Sequence, residues 1–397
     1  MEGQTDQGWA IPRFHRIGYL EVVLLEVSQK ASFERIRQVL FQYAERTGEN
    51  QVSLGSRLMD EYTFWSPTQE ALSELMRLGF LVQASVPSAR QYVNSHRAST
   101  YELTPAGIAA SNELHKQDPK ARASFLDKLT AALVKAHPGF ADLVDVASQY
   151  PICIPEYTAE LINRLISTGN ASQALAEDAL RYLTKHWPDT IEKPNQDALA
   201  KCITDSLTRR FPESRAIKPS QKDLLDTIND ALVAFVAKSR NIRLDAISFN
   251  VCMSWGTQLA ILEQSRYVED WPGRTLWTTY RIENSAVVRR GFKEATKEII
   301  QGLAEGSKIV AAAMPDSRAS GFLPIYRVRA QAAFKARVNL RLVDIVISKL
   351  LSDELTAPYN VQVALGRATP PPPSEPIFTF QTRRFFDILI TDKEVAK

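Results

Sequence analysis

The sequence holds little of what catalytic or metal chemistry usually needs. Its three cysteines, Cys153, Cys202 and Cys252, lie about fifty residues apart with no CxxC pair. That spacing indicates neither a zinc knuckle nor a disulfide framework, and it fits buried thiols in a reducing compartment. The five histidines, His15, His96, His115, His137 and His186, are scattered, none paired at metal-ligand spacing. There is no GxxxxGK phosphate loop, no GxGxxG, no HExxH and no GxSxG. PDTIEK at 188–193 carries the letters of a metal-dependent nuclease motif. That chemistry needs an acid-x-Lys step on a strand, whereas Glu192 and Lys193 are adjacent among helix breakers. Long apolar runs are also missing: Ile309–Met314 is far shorter than the ~20 residues that span a bilayer. The opening MEGQTDQGWAIPRFHR lacks the apolar core of a secretory signal. The expectation is a cytoplasmic, non-enzymatic chain with no membrane contact, no cofactor and no metal.

What the sequence does hold is apolar material for folded domains: 397 residues, 45% hydrophobic, enough for two to three domains of roughly 150 residues each. Phe33, Ile36, Leu40 and Tyr43 recur at helical steps before Gly48. Ser53 is placed to cap a second helix carrying Leu54, Leu58, Met59 and Tyr62. Ser66-Pro67-Thr68-Gln69 starts a third, which buries Leu72, Leu75 and Met76 and stops at Gly79. Phe80–Gln83 and Ser99–Leu103 have strand character around a polar tip, and Thr104-Pro105 caps another helix. Three helices, a strand, a long tip, a strand and a returning helix make the order of a winged-helix domain.

LSELMRLGFLVQ, the polar tip and then YELTPAG resemble the MarR and PadR groups of bacterial winged-helix regulators, in which the strand after the wing commonly ends in a similar Leu-Thr-Pro-Xaa-Gly. The resemblance covers residues 19–115, about a quarter of the chain, behind an N-terminal arm at 1–18. It implies a DNA-binding fold.

A second copy is expected at 219–305. LAILEQSRYVED parallels LSELMRLGFLVQ, and TTYRIE parallels STYELT. Here Ser220 caps a helix carrying Leu224, Leu225, Ile228, Leu232, Phe235 and Val236. Leu244–Met253 and Thr257–Gln264 read as helices, Arg266–Glu269 and Leu276–Ile282 as strands, and Asn284 as the cap of a helix through Glu305. A helical region followed by an unrelated hairpin is the competing reading. Residues 116–218 read as a helical connector and 306–368 as a basic region with a strand at Leu323–Ala330 and a helix at 332–351. Residues 369–397 read as a Pro-rich spacer and closing strand. The fold class is then mainly α with small β-ribbons (α+β), as tandem winged-helix units joined by helices.

The net charge is +3, but residues 281–349 alone carry 13 Lys or Arg against 6 Asp or Glu. Such an excess beside a wing is the footprint of a protein that grips a duplex backbone. The expected DNA-contacting residues are Gln69 and Arg77 on the third helix and Arg90, Gln91, Asn94 and Arg97 on the wing, with Gln258 and Arg274 in the second copy. Arg289, Arg290, Lys293 and Lys297 are expected along one helix side, continued by Arg327, Arg329, Arg337 and Arg341. Glu70 and Glu74, read as outward on the third helix, oppose a phosphate-lined groove. They favour the alternative: a subunit of a multi-protein assembly, in a defence or mobile-element system, using winged helices to dock polypeptides. Double-stranded DNA, a second copy of the chain or protein partners are the binding partners these readings imply.

Overall fold

The computed structural model describes residues 16–27, 30–48, 64–85, 99–158, 171–212, 220–271, 273–283, 286–288, 291–314, 321–352, 354–355, 361–367, 372 and 377–392. From the start, α1 (Ile17–Glu26) leads through β1 (Lys30–Ser32) into α2 (Phe33–Thr47). Helix α3 (Trp65–Arg77) then precedes a ribbon of β2 (Leu81–Ser85) and β3 (Thr100–Leu103). Next come α4 (Pro105–His115), α5 (Pro119–Ala136), α6 (Pro138–Gln149), β4 (Ile152–Ile154), α7 (Ala171–Lys185) and α8 (Gln196–Arg210). Helices α9 (Gln221–Ser239) and α10 (Ala246–Gln258) lead into β5 (Leu262–Ser265), β6 (Arg274–Thr278), β7 (Arg281–Glu283) and β8 (Ala286–Val288). The chain continues through α11 (Phe292–Ala313), β9 (Leu323–Pro324), α12 (Ile325–Ala336) and α13 (Leu340–Leu351). It closes with β10 (Val361–Gly366), β11 (Phe378–Phe380), β12 (Arg383–Phe385) and β13 (Asp387–Asp392). The architecture is mainly helical with small antiparallel sheets, as the α+β reading expects.

Helix starts follow side-chain chemistry. Ser32, Asp118, Asn195, Asp245 and Asn339 each accept a hydrogen bond from a backbone N–H of the first turn. Ser220 and Asp223 form the reciprocal capping box.

Among the described residues the three-stranded antiparallel sheets all share one pattern: orders β1-β3-β2, β4-β6-β5 and β10-β13-β9 each place the last strand in the middle. By contacts the chain forms two compact units, one of residues 1–143 with 243–259, the other of 144–242 with 260–397. Helix α10 therefore belongs to the first unit and β5 and β6 to the second. In the first unit, α1, α2 and α3 bury Leu20, Val23, Leu24, Phe33, Ile36, Leu40, Leu72 and Leu75. Trp255 of α10 joins them, with its ring 5.0 Å from His137 and 6.0 Å from Phe140. In the second unit α11 crosses α12 where Gly302 and Gly306 face Ala332 and Gln331; a Cβ at Gly302 would lie 3.0 Å from the Ala332 carbonyl oxygen. Trp277 donates from Nε1 to Val338 O at 3.0 Å.

Several expected elements are corrected. The helix expected at Leu244–Met253 runs on to Gln258 as α10, and the helix expected at Thr257–Gln264 is otherwise a turn at 259–261 and the strand β5. Arg266–Glu269 is a turn, not a strand, and α11 starts at Phe292 rather than at Asn284. Leu323–Ala330 is strand for two residues only; from Ile325 it is helix. That helix ends at Arg337, whose left-handed φ of 51° breaks the expected 332–351 helix in two. The expected helix from Ser53 lies outside the described residues.

Candidate functional site

Helix α3 buries Thr68, Ala71, Leu72, Glu74 and Leu75. Its outward line is Ser66, Glu70, Ser73 and Arg77, spaced four, three and four apart, with Gln69 partly exposed beside it. Ser66 Oγ donates to Glu70 Oε1 at 3.4 Å. Glu74 does not face outward as expected. It is fully buried, and a 2.6 Å hydrogen bond joins its Oε1 to Nε2 of the buried His137. Burying a carboxylate alone is expensive, so the inward turn requires that partner. The exposed face keeps one acid, Glu70, against one base, Arg77.

The end of α3 is fixed by the TPAG stretch. Thr104 Oγ1 donates to Gly79 O at 2.6 Å and accepts from Gly107 N at 3.1 Å, and Thr104 N donates to Phe80 O at 3.0 Å. A Cβ at Gly107 would sit 2.0 Å from Phe80 O, so only glycine fits. Gly79 itself turns with φ at 76°. Sequence reasoning identified the cap but missed this clasp, because it reaches back 25 residues.

The ribbon pairs Leu81 with Leu103, Val82 with Glu102 and Gln83 with Tyr101, then shifts register between Gln83 and Ser85. Gln83 Nε2 donates to Ser99 Oγ at 2.8 Å across its base. The expected wing contacts Arg90, Gln91, Asn94 and Arg97 lie outside the described residues, as do Arg289 and Arg290.

The other expected contacts are largely taken up inside the fold. Gln258 Oε1 accepts from Ile17 N at 3.0 Å while its Nε2 donates to Ser254 Oγ at 2.9 Å. Arg274 reaches Glu156 at 3.4 Å, and burial lowers its basicity. Arg327 pairs with Glu269. Arg329, which is 2% exposed, grips Asp344 twice, at 2.7 and 2.8 Å. Its neighbour Lys335 pairs with Glu305 at 2.6 Å. Arg337 caps α12 and lies over the Phe334 ring. Only Lys293, Lys297 and Arg341 among the described members of the expected stripe are exposed. The structure thus corrects the continuous basic surface: helical rather than strand geometry at 325–336 turns Arg329 inward, against a carboxylate from α13. Among the described residues no cluster of three or more His, Cys, Asp or Glu could hold a metal ion. No helix there is long and apolar enough to cross a membrane.

Comparison with known proteins adds no label: no protein-family model, no curated protein and no solved structure matches this chain.

Proposed function

We propose that residues 19–115 form a winged-helix module that binds double-stranded DNA, with α3 as the helix that enters the major groove and the β2–β3 ribbon as the wing. Helix, strand, helix, helix and ribbon, with the last strand central, is the order this reading requires. The observation that carries it is the burial of Glu74 on His137. This removes one of the two acids that opposed a phosphate-lined groove and leaves a face of Ser66, Gln69, Glu70, Ser73 and Arg77, with Trp65 exposed at its first residue. A protein-docking helix would carry apolar or aromatic anchors along its whole length. We also read residues 219–305 as a second unit of this kind, supported by the parallels of LAILEQSRYVED with LSELMRLGFLVQ and of TTYRIE with STYELT.

The test is fluorescence anisotropy of the full chain on random-sequence duplex across a salt series. If Arg77, Arg90 and Arg97 neutralise about three phosphates, log K falls with log salt at a slope near −3. Arg77→Ala weakens binding and flattens the slope by about one. Absence of binding at low salt defeats the proposal.

The second reading, a subunit that docks polypeptides, is favoured by a different observation. Carboxylates engage Arg274, Arg327, Arg329 and Lys335, so the C-terminal charge excess does not form a broad field.

A further inference from the structure

The ribbon β11–β12 closes in two residues: Phe380 pairs with Arg383, leaving Gln381 and Thr382 as its loop. Both have positive φ, 45° and 66°. Such a loop usually takes Asn and Gly, because a side chain is strained there, a β-branched one most of all. The tip keeps Gln381 and Thr382 in spite of that strain. Both are exposed, as are Thr379, Arg383 and Arg384. Successive strand residues point to opposite faces, so Arg383 and Arg384 leave the ribbon on its two sides. On the Arg383 side, Arg367 is exposed and lies over the Phe385 ring at 5.2 Å. These arginines are not neutralised as Arg327 and Arg329 are. Among the described residues no ion pair engages Arg367, Arg383 or Arg384. The stretch 361–386 holds one acid, Glu375, which lies outside the described residues. Asp387, next in the chain, is buried, and Asp344 is taken by Arg329.

We infer that the β11–β12 tip is a further duplex-contacting element, with Arg383 and Arg384 on the phosphates that wall a groove. The inference rests on the reading of the chain as a duplex binder, and it lies outside the basic stretch 281–349 that composition singles out. Two arginines on opposite faces call for anions on both sides at once. The major groove, about 12 Å wide with a phosphate backbone along each side, admits a two-stranded ribbon and supplies them. An acidic peptide laid on the tip would meet one face only. It would also find no apolar anchor, since the exposed side chains there are Thr379, Gln381 and Thr382 beside the arginines. Ile377, 40% exposed, sits at the base of the ribbon, at the end away from the turn.

The experiment measures anisotropy of a labelled random-sequence duplex with the full chain across a salt series. Two further phosphate contacts steepen the slope of log K on log salt from near −3 to about −4.5. Replacing both Arg383→Ala and Arg384→Ala should return it to near −3 and weaken binding at least about tenfold at roughly 0.1 M salt. The urea midpoint should stay put, because both side chains are exposed. The charge-keeping pair Arg383→Lys and Arg384→Lys should hold the steep slope. The inference is overturned if the alanine pair binds like the unaltered chain, or if the lysine pair flattens the slope. It is equally overturned if polyglutamate displaces the duplex at matched charge, which would assign the tip to acidic polypeptides. Arg77→Ala separates this inference from the α3 reading. A loss with the alanine pair and none with Arg77→Ala keeps the tip and removes α3; the reverse pattern keeps α3 and removes the tip.

Discussion

Arg329 and Arg341 sit twelve positions apart in one basic stretch, yet their surroundings differ in kind. The first lies under Asp344 and over the Phe378 ring at 5.8 Å; the second faces water. Arg329→Ala strands a carboxylate and should cost about 3 kcal/mol, the low end for a broken buried pair because Asp344 keeps 31% of its side chain exposed. Arg341→Ala should stay within about 0.5 kcal/mol. Urea midpoints compare the two directly, and equal losses would contradict the inward placement. Burial pushes the Asp344 carboxyl up to about 6, against the opposing pull of Arg329. The folded chain then holds this proton at pH values where the unfolded chain has released it. Stability contributed by this group is therefore greatest below about pH 4 and is lost as pH rises through about 6. Carbon-13 titration of the Asp344 carboxyl should show its midpoint near the higher value. Burial likewise raises all three thiols, Cys153 to about 12, so a thiol reagent at pH 8 should label the native chain far more slowly than the urea-unfolded one.

At the scale of elements, the glycines that matter are those where another strand of backbone intrudes. Gly107→Ala places a methyl group on Phe80 O and should cost at least about 2 kcal/mol, disturbing the end of α3 as well as stability. Gly302→Val should open the α11–α12 crossing at similar cost, without touching α3. Much of the first region was legible because α2 and α3 are amphipathic and closed by Gly48 and Gly79, although α3 starts at Trp65, so that Ser66 lies inside the helix and is not its cap. Helix α1 was not, because IGYLEVVLLE is apolar nearly all round and shows no stripe to count. Helix α12 was misread because Tyr326 and Val328 alternate with Arg327 and Arg329. The burial of Arg329 and Gln331 hides the helical period behind polar letters. The inward turn of Glu74 was equally invisible: its reason, His137, lies 63 residues away.

At the scale of the whole molecule, both units bury tryptophan: Trp255 in the first, Trp187 and Trp277 in the second. Replacing each by Phe in turn should separate their urea transitions, and Arg329→Ala should move only the transition that Trp277 reports. Coincident shifts would show a single cooperative body. The first unit is also discontinuous along the chain: residues 243–259 return to complete it, with Trp255 against His137 and Phe140 and Gln258 holding the start of α1. During synthesis the early part must therefore wait, its centre unfilled, until about a hundred later residues have left the ribosome. A fragment ending at residue 143 would be born without its plug, and should emerge from expression as a chaperone client or an aggregate rather than as a free-standing head.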